Sequence, residues 1–302
     1  MARNLKYQFL NAINNNFKEG MDKHSLKADG LMDKTRIFSY ADRENLKDVA
    51  SNFSNYMKEN YSEVKMVKDI KAEHIQGFLN SKADSCSKKT LEQYATKFNK
   101  LENVVNSTYG TNATYKGFVV PAGKENTKIR NVAMTKSDFK KLENGFSNSK
   151  SSAKEAIQLS AKLGLRVSET VKLQGRDIDL NKGTVFVKDG KGGRDRHIPI
   201  RTEDKGYFAN LKASVGATER ICPVQSDSIN KAVQRQMERV GIANKYKDTS
   251  IHAIRKMYAQ EQFNSYREQG MAIDKALGAV SVDLGHSENR LELMKEYVLD
   301  IK

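Results

Sequence analysis

Residues 250–259 read SIHAIRKMYA, and the spacing inside them decides how the second half of the chain is to be read. Ile251, Ile254 and Tyr258 recur at steps of three and four, the period of a helix with one buried face. His252 and Arg255 stand one turn apart on the adjacent face, so both side chains can reach one point in space. An isolated H-x-x-R is more often a solvated pair beside a core stripe. The chain holds only five histidines, and the surrounding sequence has to choose between the two readings.

With 302 residues, the chain is long enough for two domains, each with its own core. A hydrophobic fraction of 38% suits a globular protein, and no apolar run has the length needed to span a bilayer. The opening MARNLKYQFLNAINNNF lacks the apolar block of a secretory signal, so a cytoplasmic location and no membrane partner are expected. Cys86 and Cys222 are too few for a disulfide framework or a thiolate zinc site, and no metal is expected. Fifty-two basic against 37 acidic side chains leave a formal charge of +15, which concentrates polyanions near the surface. These charges are interspersed with acids, as on folded binding surfaces.

Periodicity predicts a mainly helical chain. A first helix is expected near Leu5 to Phe17 within an N-terminal extension, residues 1–33. A longer helix is expected from about Lys34 to Tyr61, with Leu46, Val49, Phe53 and Met57 on its buried side. DIKAEHIQGFLNSKA gives another. In KKTLEQYATKFNKLENVVNSTYG, Leu91, Tyr94, Phe98, Leu101 and Val105 mark the core face and Gly110 the stop. Residues 34–110 thus read as one helical domain. Residues 111–132 carry two glycines, a proline and no helical period, and read as a linker. In the second domain, 133–302, Thr135 or Ser137 can cap a helix, and SAKEAIQLSAKL carries a further one toward Gly164. DIDLNKGTVFVKDGKGGRDRHIPI breaks the pattern: alternation around Val185 and Val187, clustered glycines and the return at RHIPI predict a β-hairpin with Lys191 at its turn.

Five fragments line up in order: LGLRVSE, DGKGGRDRHIPI, HAIR, LGHS and MKEYV. Together they resemble the catalytic domain of the tyrosine recombinases, the integrases of phages and conjugative elements. Over residues 34–110, the helical pattern and SKKTLEQYATKF are similar to the family's core-binding domain. The resemblance implies a two-domain, C-shaped clamp around DNA, with a helical core-binding domain and a mixed α/β catalytic domain. It also implies site-specific recombination through a 3′-phosphotyrosine intermediate and a Holliday junction. The implied partners are double-stranded DNA with inverted-repeat core sites, a homotetramer formed on DNA, and accessory bending or directionality proteins.

Chemistry explains why such a set exists. Attack of an alcohol on a phosphodiester gathers negative charge around phosphorus, and preorganised cations stabilise it. Arg166 and Arg255 are the expected phosphate clamps, because the guanidinium fork matches phosphate oxygens and stays charged. His252, with an ordinary pKa of about 6.5, can hydrogen-bond the phosphate or take a proton. His286 is expected to bond a non-bridging oxygen, and Glu169 to orient the site. Lys191 is the expected general acid for the 5′ oxygen, with Lys188, Arg194 and Arg196 as competitors. Tyr297 is the expected nucleophile, with Tyr258 and Tyr266 as competitors and cis or trans delivery open. Its pKa of about 10 means neighbouring cations must assist. Because one phosphodiester is exchanged for another, neither ATP nor a metal is required. Lys88, Lys89, Arg194 and Arg196 are candidate DNA-backbone contacts. The alternatives are a type IB topoisomerase-like relaxer and a DNA-binding regulator that has lost the reaction.

Overall fold

A computed structural model of the chain describes residues 4–19, 26, 30, 33–125, 132–147, 149–188, 190, 195–246 and 249–301. The chain divides into two compact units, Met1–Thr127 and Lys128–Lys302. Among the described residues the structure is mainly helical with one small antiparallel sheet, the class that the periodicity predicts. No helix among them is long and apolar enough to cross a membrane.

In the first unit, short polar side chains set where helices begin. Asn4 caps α1 (Leu5–Asn15) by accepting from the Tyr7 N–H at 2.8 Å. The helix stops short of Phe17 because the Asn16 side chain turns back to the Ala12 carbonyl and Thr108, while Phe17 enters a parallel bridge with Ile37. Ser39, in extended backbone, caps α2 (Tyr40–Asn60), so this helix starts after the Lys34 expected from periodicity alone. Helices α3 (Ala72–Ala83) and α4 (Lys88–Tyr109) follow, and α4 ends where Gly110 turns left-handed with φ 60°.

Phe53 of α2 is the hub of this core. It meets Phe98 of α4 edge-on at 4.9 Å and Phe78 of α3 at 5.4 Å. Leu5, Phe9 and Ile13 of α1 belong to the same core, so the N-terminal helix is part of the unit. Residues 111–125 also pack on it. The fully buried Tyr115 donates from its hydroxyl to the Val67 carbonyl at 2.8 Å, and its N–H bonds the buried Glu102 carboxylate.

The second unit is built around α6 (Ser152–Leu163), packed against α11 (Ile251–Glu268). Before α6 lies α5 (Lys136–Gly145), capped by Thr135, one of the two caps expected. After it come the one-turn α7 (Val167–Thr170) and a sheet of β1 (Ile178–Asp179), β2 (Thr184–Val187) and β3 (Arg196–Pro199), in the order 1-2-3. The β2–β3 hairpin pairs Val185 with Ile198 and Val187 with Arg196, so Val185, Val187 and Ile198 all face the core. Helices α8 (Lys205–Ser214), α9 (Ser226–Arg239) and α10 (Ala243–Tyr246) lead into α11. A satellite core at the end of α11 joins Tyr258 and Phe263 to α12 (Ile273–Asp283), α13 (Leu291–Lys295) and the tail through Leu277, Val280, Met294 and Val298.

Truncating the aromatic hub removes contacts with α3 and α4 together. Phe53→Ala is expected to lower the denaturant-unfolding free energy by about 3–5 kcal/mol. A loss below about 1 kcal/mol would mean that this core is not organised around Phe53.

Candidate active site

The site begins where α6 stops. Gly164 adopts φ 62°, and a Cβ there would stand 2.4 Å from the Tyr258 ring, so glycine both ends the helix and lets α11 approach. Two residues later Arg166 sits at the N-cap of α7. Its backbone N–H and its guanidinium both donate to the Glu169 carboxylate, each at 2.9 Å. Its other terminal nitrogen contacts Nε2 of His286 at 2.8 Å. A guanidinium has only donors, so His286 accepts at Nε2 and carries its proton on Nδ1.

Glu169 is 4% exposed and gathers three arginines. Arg196, at the start of β3, donates from both terminal nitrogens to the same carboxylate at 3.1 and 2.9 Å. Arg255 approaches it at 3.9 Å. Burial alone would raise the Glu169 pKa. The hydrogen bonds and charges of Arg196, with the N–H of Arg166 and the charge of Arg255, outweigh it and bring the pKa down to about 2. Arg196, a candidate DNA-backbone contact and a competitor of Lys191, has its guanidinium on Glu169 inside the site. Gly285 leaves it room: its φ is 72°, and a Cβ would meet the guanidinium at 2.7 Å.

Arg255 is 1% exposed. Its terminal nitrogens donate to the carbonyls of Gly164 and Leu284, the second at 2.6 Å, which ties the end of α6 to the loop holding His286. Its Nε is buried with no hydrogen-bond partner among the described residues. Burial first, and then the charge of Arg166, pull its pKa down to about 10, so the guanidinium stays protonated at neutral pH.

Tyr297 follows α13 in a turn and is 8% exposed. Its ring lies 5.2 Å from the His252 ring and 6.0 Å from that of His286. The Arg255 guanidinium stands 5.6 Å and the Lys256 ammonium 5.9 Å from the ring centre. The competing tyrosines are engaged elsewhere: the hydroxyl of Tyr258 is bonded by Gln262, and that of Tyr266 donates to Asp283. Burial pushes the Tyr258 hydroxyl up to about 12. A cavity of about 410 Å³ opens beside the cluster, lined by Arg166, Ser168, Asn230, Ser250, His252 and Arg255.

Five expected residues, Arg166, His252, Arg255, His286 and Tyr297, therefore meet around one point, with Glu169 beneath them. Lys191 and Arg194 lie outside the described residues. Lys88 and Lys89 are exposed in the first turn of α4, in the other unit. Two residues of the site were not anticipated. Lys256 is 2% exposed against Tyr297, and its position four residues after His252, on the same helical stripe, was the available signal. Ser250 precedes α11 as its N-cap with φ 42°, rare for a residue other than glycine, and its buried hydroxyl has no partner among the described residues. Nothing in the local sequence announces that strain.

The depressed Glu169 pKa makes stability depend on acid. The stabilisation is fully present above the ordinary glutamate value of 4.5 and is lost as pH falls from there toward 2. By linkage it amounts to about 3 kcal/mol. Denaturation series across that range should show this loss in the unaltered chain and its absence in Glu169→Gln.

The phage integrase family model matches residues 132–282, half of the chain. A tyrosine recombinase XerA from Pyrococcus furiosus is 39% identical over 80 residues, 25% of this chain and 28% of that protein. A tyrosine recombinase XerC from Xanthomonas axonopodis pv. citri is 28% identical over 130 residues, 41% of this chain and 40% of its own. The chain spans less than half the length of the curated relatives it matches. Two solved structures share its fold at low identity. The XerH site-specific recombinase bound to a palindromic difH substrate has a TM-score of 0.64 and 13% identity, over 97% of this chain and 90% of that one. A lambda integrase dimer bound to a COC′ core site has a TM-score of 0.61 and 16% identity, over 92% and 95%. The family match covers the segment from before Thr135 to the end of α12, where Arg166, Glu169, His252 and Arg255 converge, and on it the chain belongs to the phage integrase family, the tyrosine recombinases.

Proposed function

We propose that the protein is a site-specific DNA recombinase that cuts and rejoins strands through a covalent bond between DNA and Tyr297. The observation that carries this reading is the position of the Tyr297 ring, 5.2 Å from His252, 6.0 Å from His286 and 5.6 Å from the Arg255 guanidinium. A tyrosine in such company is suited to attack a phosphate held by the same cations.

In this mechanism the scissile phosphate enters the cavity beside Arg166, His252 and Arg255. Arg166 and Arg255 neutralise the charge that develops on its equatorial oxygens. The unpaired Nε of Arg255 supports this role: a buried donor without a partner costs about 1–3 kcal/mol and is kept where a ligand will meet it. His286, accepting from Arg166 and protonated on Nδ1, and His252, against the Tyr297 ring, hydrogen-bond the phosphate. His252 can also accept the phenolic proton. The phenolate oxygen forms its bond to phosphorus as the 5′ oxygen leaves, protonated by Lys191. Reversal by a 5′ hydroxyl from another strand rejoins the chain and frees Tyr297, and the exchanged bonds need no ATP. Glu169 orients Arg166 and Arg196 and takes no proton.

The formal +15 charge suits a DNA clamp of two domains, the first taking in α1 and residues 111–125 and the second starting at 133, with Lys88 and Lys89 against the backbone. We read the target as inverted-repeat core sites, bound in the cytoplasm by a tetramer that passes through a Holliday junction. XerH on its palindromic substrate and a lambda integrase tetramer on a Holliday junction are the similar proteins that support this reading.

Nicked duplexes carrying the element's own flanking sites trap the covalent intermediate. The unaltered protein should form a DNA adduct that maps to Tyr297 by peptide mass, and Tyr297→Phe should form none while binding DNA equally well. An adduct in the Phe variant refutes the assignment. Arg166→Ala should slow adduct formation by about 10²–10³-fold, the cost of removing one preorganised donor to a developing charge, and an unchanged rate would remove it from the clamp.

A further inference from the structure

Helix α11 carries more of the site than His252 and Arg255. His252, Lys256 and Gln260 stand at i, i+4 and i+8, a single stripe along the helix. Facing that stripe is the segment that holds Tyr297. His252 packs on the Tyr297 ring. One turn on, Lys256 donates from Nζ to the Glu296 carbonyl, immediately before the tyrosine. A further turn on, Gln260 accepts from the backbone N–H groups of Leu299 at 3.0 Å and Asp300 at 2.9 Å and donates to the Asp300 carbonyl at 2.8 Å. The backbone is thus held on both sides of Tyr297. Every one of these Lys256 and Gln260 contacts is to main chain, so the grip fixes the path of the segment whatever its side chains.

Lys256 has no evident packing reason to be a lysine. It is 2% exposed, and burying an ammonium is costly where a methionine or leucine of similar size would fill the space without penalty. What a long basic side chain supplies here, and an apolar one cannot, is a stem that ends in a donor at the Glu296 carbonyl and a positive charge 5.9 Å from the Tyr297 ring. The apolar anchors Met294 and Val298, both fully buried, flank the same turn, so the polar grip acts on a segment already seated in the core.

We propose that Lys256 and Gln260 are positioning residues that bind the Tyr297 segment to its own subunit's H-x-x-R helix and so fix the place of the nucleophile. The inference rests on Tyr297 being the nucleophile. Displacing a reacting atom by about 1 Å can cost about 10²-fold in rate, which is the scale on which such a grip matters.

The test uses the full chain and the nicked-DNA adduct assay, with the unaltered protein and Tyr297→Phe as controls. If the unaltered protein forms no adduct at Tyr297, the proposed function itself fails. Given that adduct, Lys256→Met should slow its formation by about 10²-fold at saturating DNA, with DNA affinity unchanged, and Lys256→Arg should restore most of the rate. Gln260→Ala should slow it in the same sense. Mixing Tyr297→Phe with Arg166→Ala subunits should give no more adduct than Arg166→Ala alone, because neither subunit then holds a complete site. A Lys256→Met protein that reacts at the normal rate, a parallel loss of DNA affinity, a failure of arginine to rescue, or adduct in the mixture above the level of Arg166→Ala alone would each overturn the proposal.

Discussion

One buried carboxylate organises the second unit. Glu169 is enclosed by Arg166, Arg196 and Arg255, which come from the start of α7, the start of β3 and the second turn of α11. Without it, like charges would be forced together out of water at a cost of several kcal/mol. With it, the guanidiniums keep fixed orientations and a net positive charge remains in the pocket. The carboxylate therefore does two things at once: it joins three elements distant in sequence, and it leaves a surplus of charge suited to a phosphate.

The arginines differ in what they have left to offer. Arg196 has both terminal nitrogens on Glu169, so it braces the hairpin against the site. Arg166 divides its donors between Glu169 and His286. Arg255 spends its terminal nitrogens on the carbonyls of Gly164 and Leu284, and its Nε has no partner among the described residues. In the proposed reaction, a phosphate entering beside Arg166 and Arg255 would meet donors whose directions are already set by the protein, which lowers the reorganisation needed. Tyr297 reaches the same place from α13, held by the apolar satellite core and by the polar stripe of α11.

Much of the helical framework was legible in the chain. The buried faces of α2 and α4 follow their period, and Gly110 stops α4 by taking a conformation that a side chain disfavours. Helix starts were less accurate, because Ser39 rather than the apolar pattern begins α2. Residues 111–125 were harder still. Their glycines and lack of period read as a connection, yet Tyr115 is sealed into the core by the Val67 carbonyl and Glu102, partners that lie 48 and 13 residues away. No local pattern reports such pairings.

The ordered fragments LGLRVSE, HAIR, LGHS and MKEYV, through their resemblance to the tyrosine recombinases, pointed to Arg166, Glu169, His252, Arg255, His286 and Tyr297 as candidates, and helical spacing puts His252 beside Arg255. What only the tertiary structure decided was how their donors are spent: Arg196 turned inward to Glu169, Arg255 half committed to backbone carbonyls, Lys256 beneath the tyrosine and Ser250 strained at the head of α11. The physical reason is that residue type sets what a group can do, whereas its free donors, burial and charge depend on neighbours that the chain brings together only on folding.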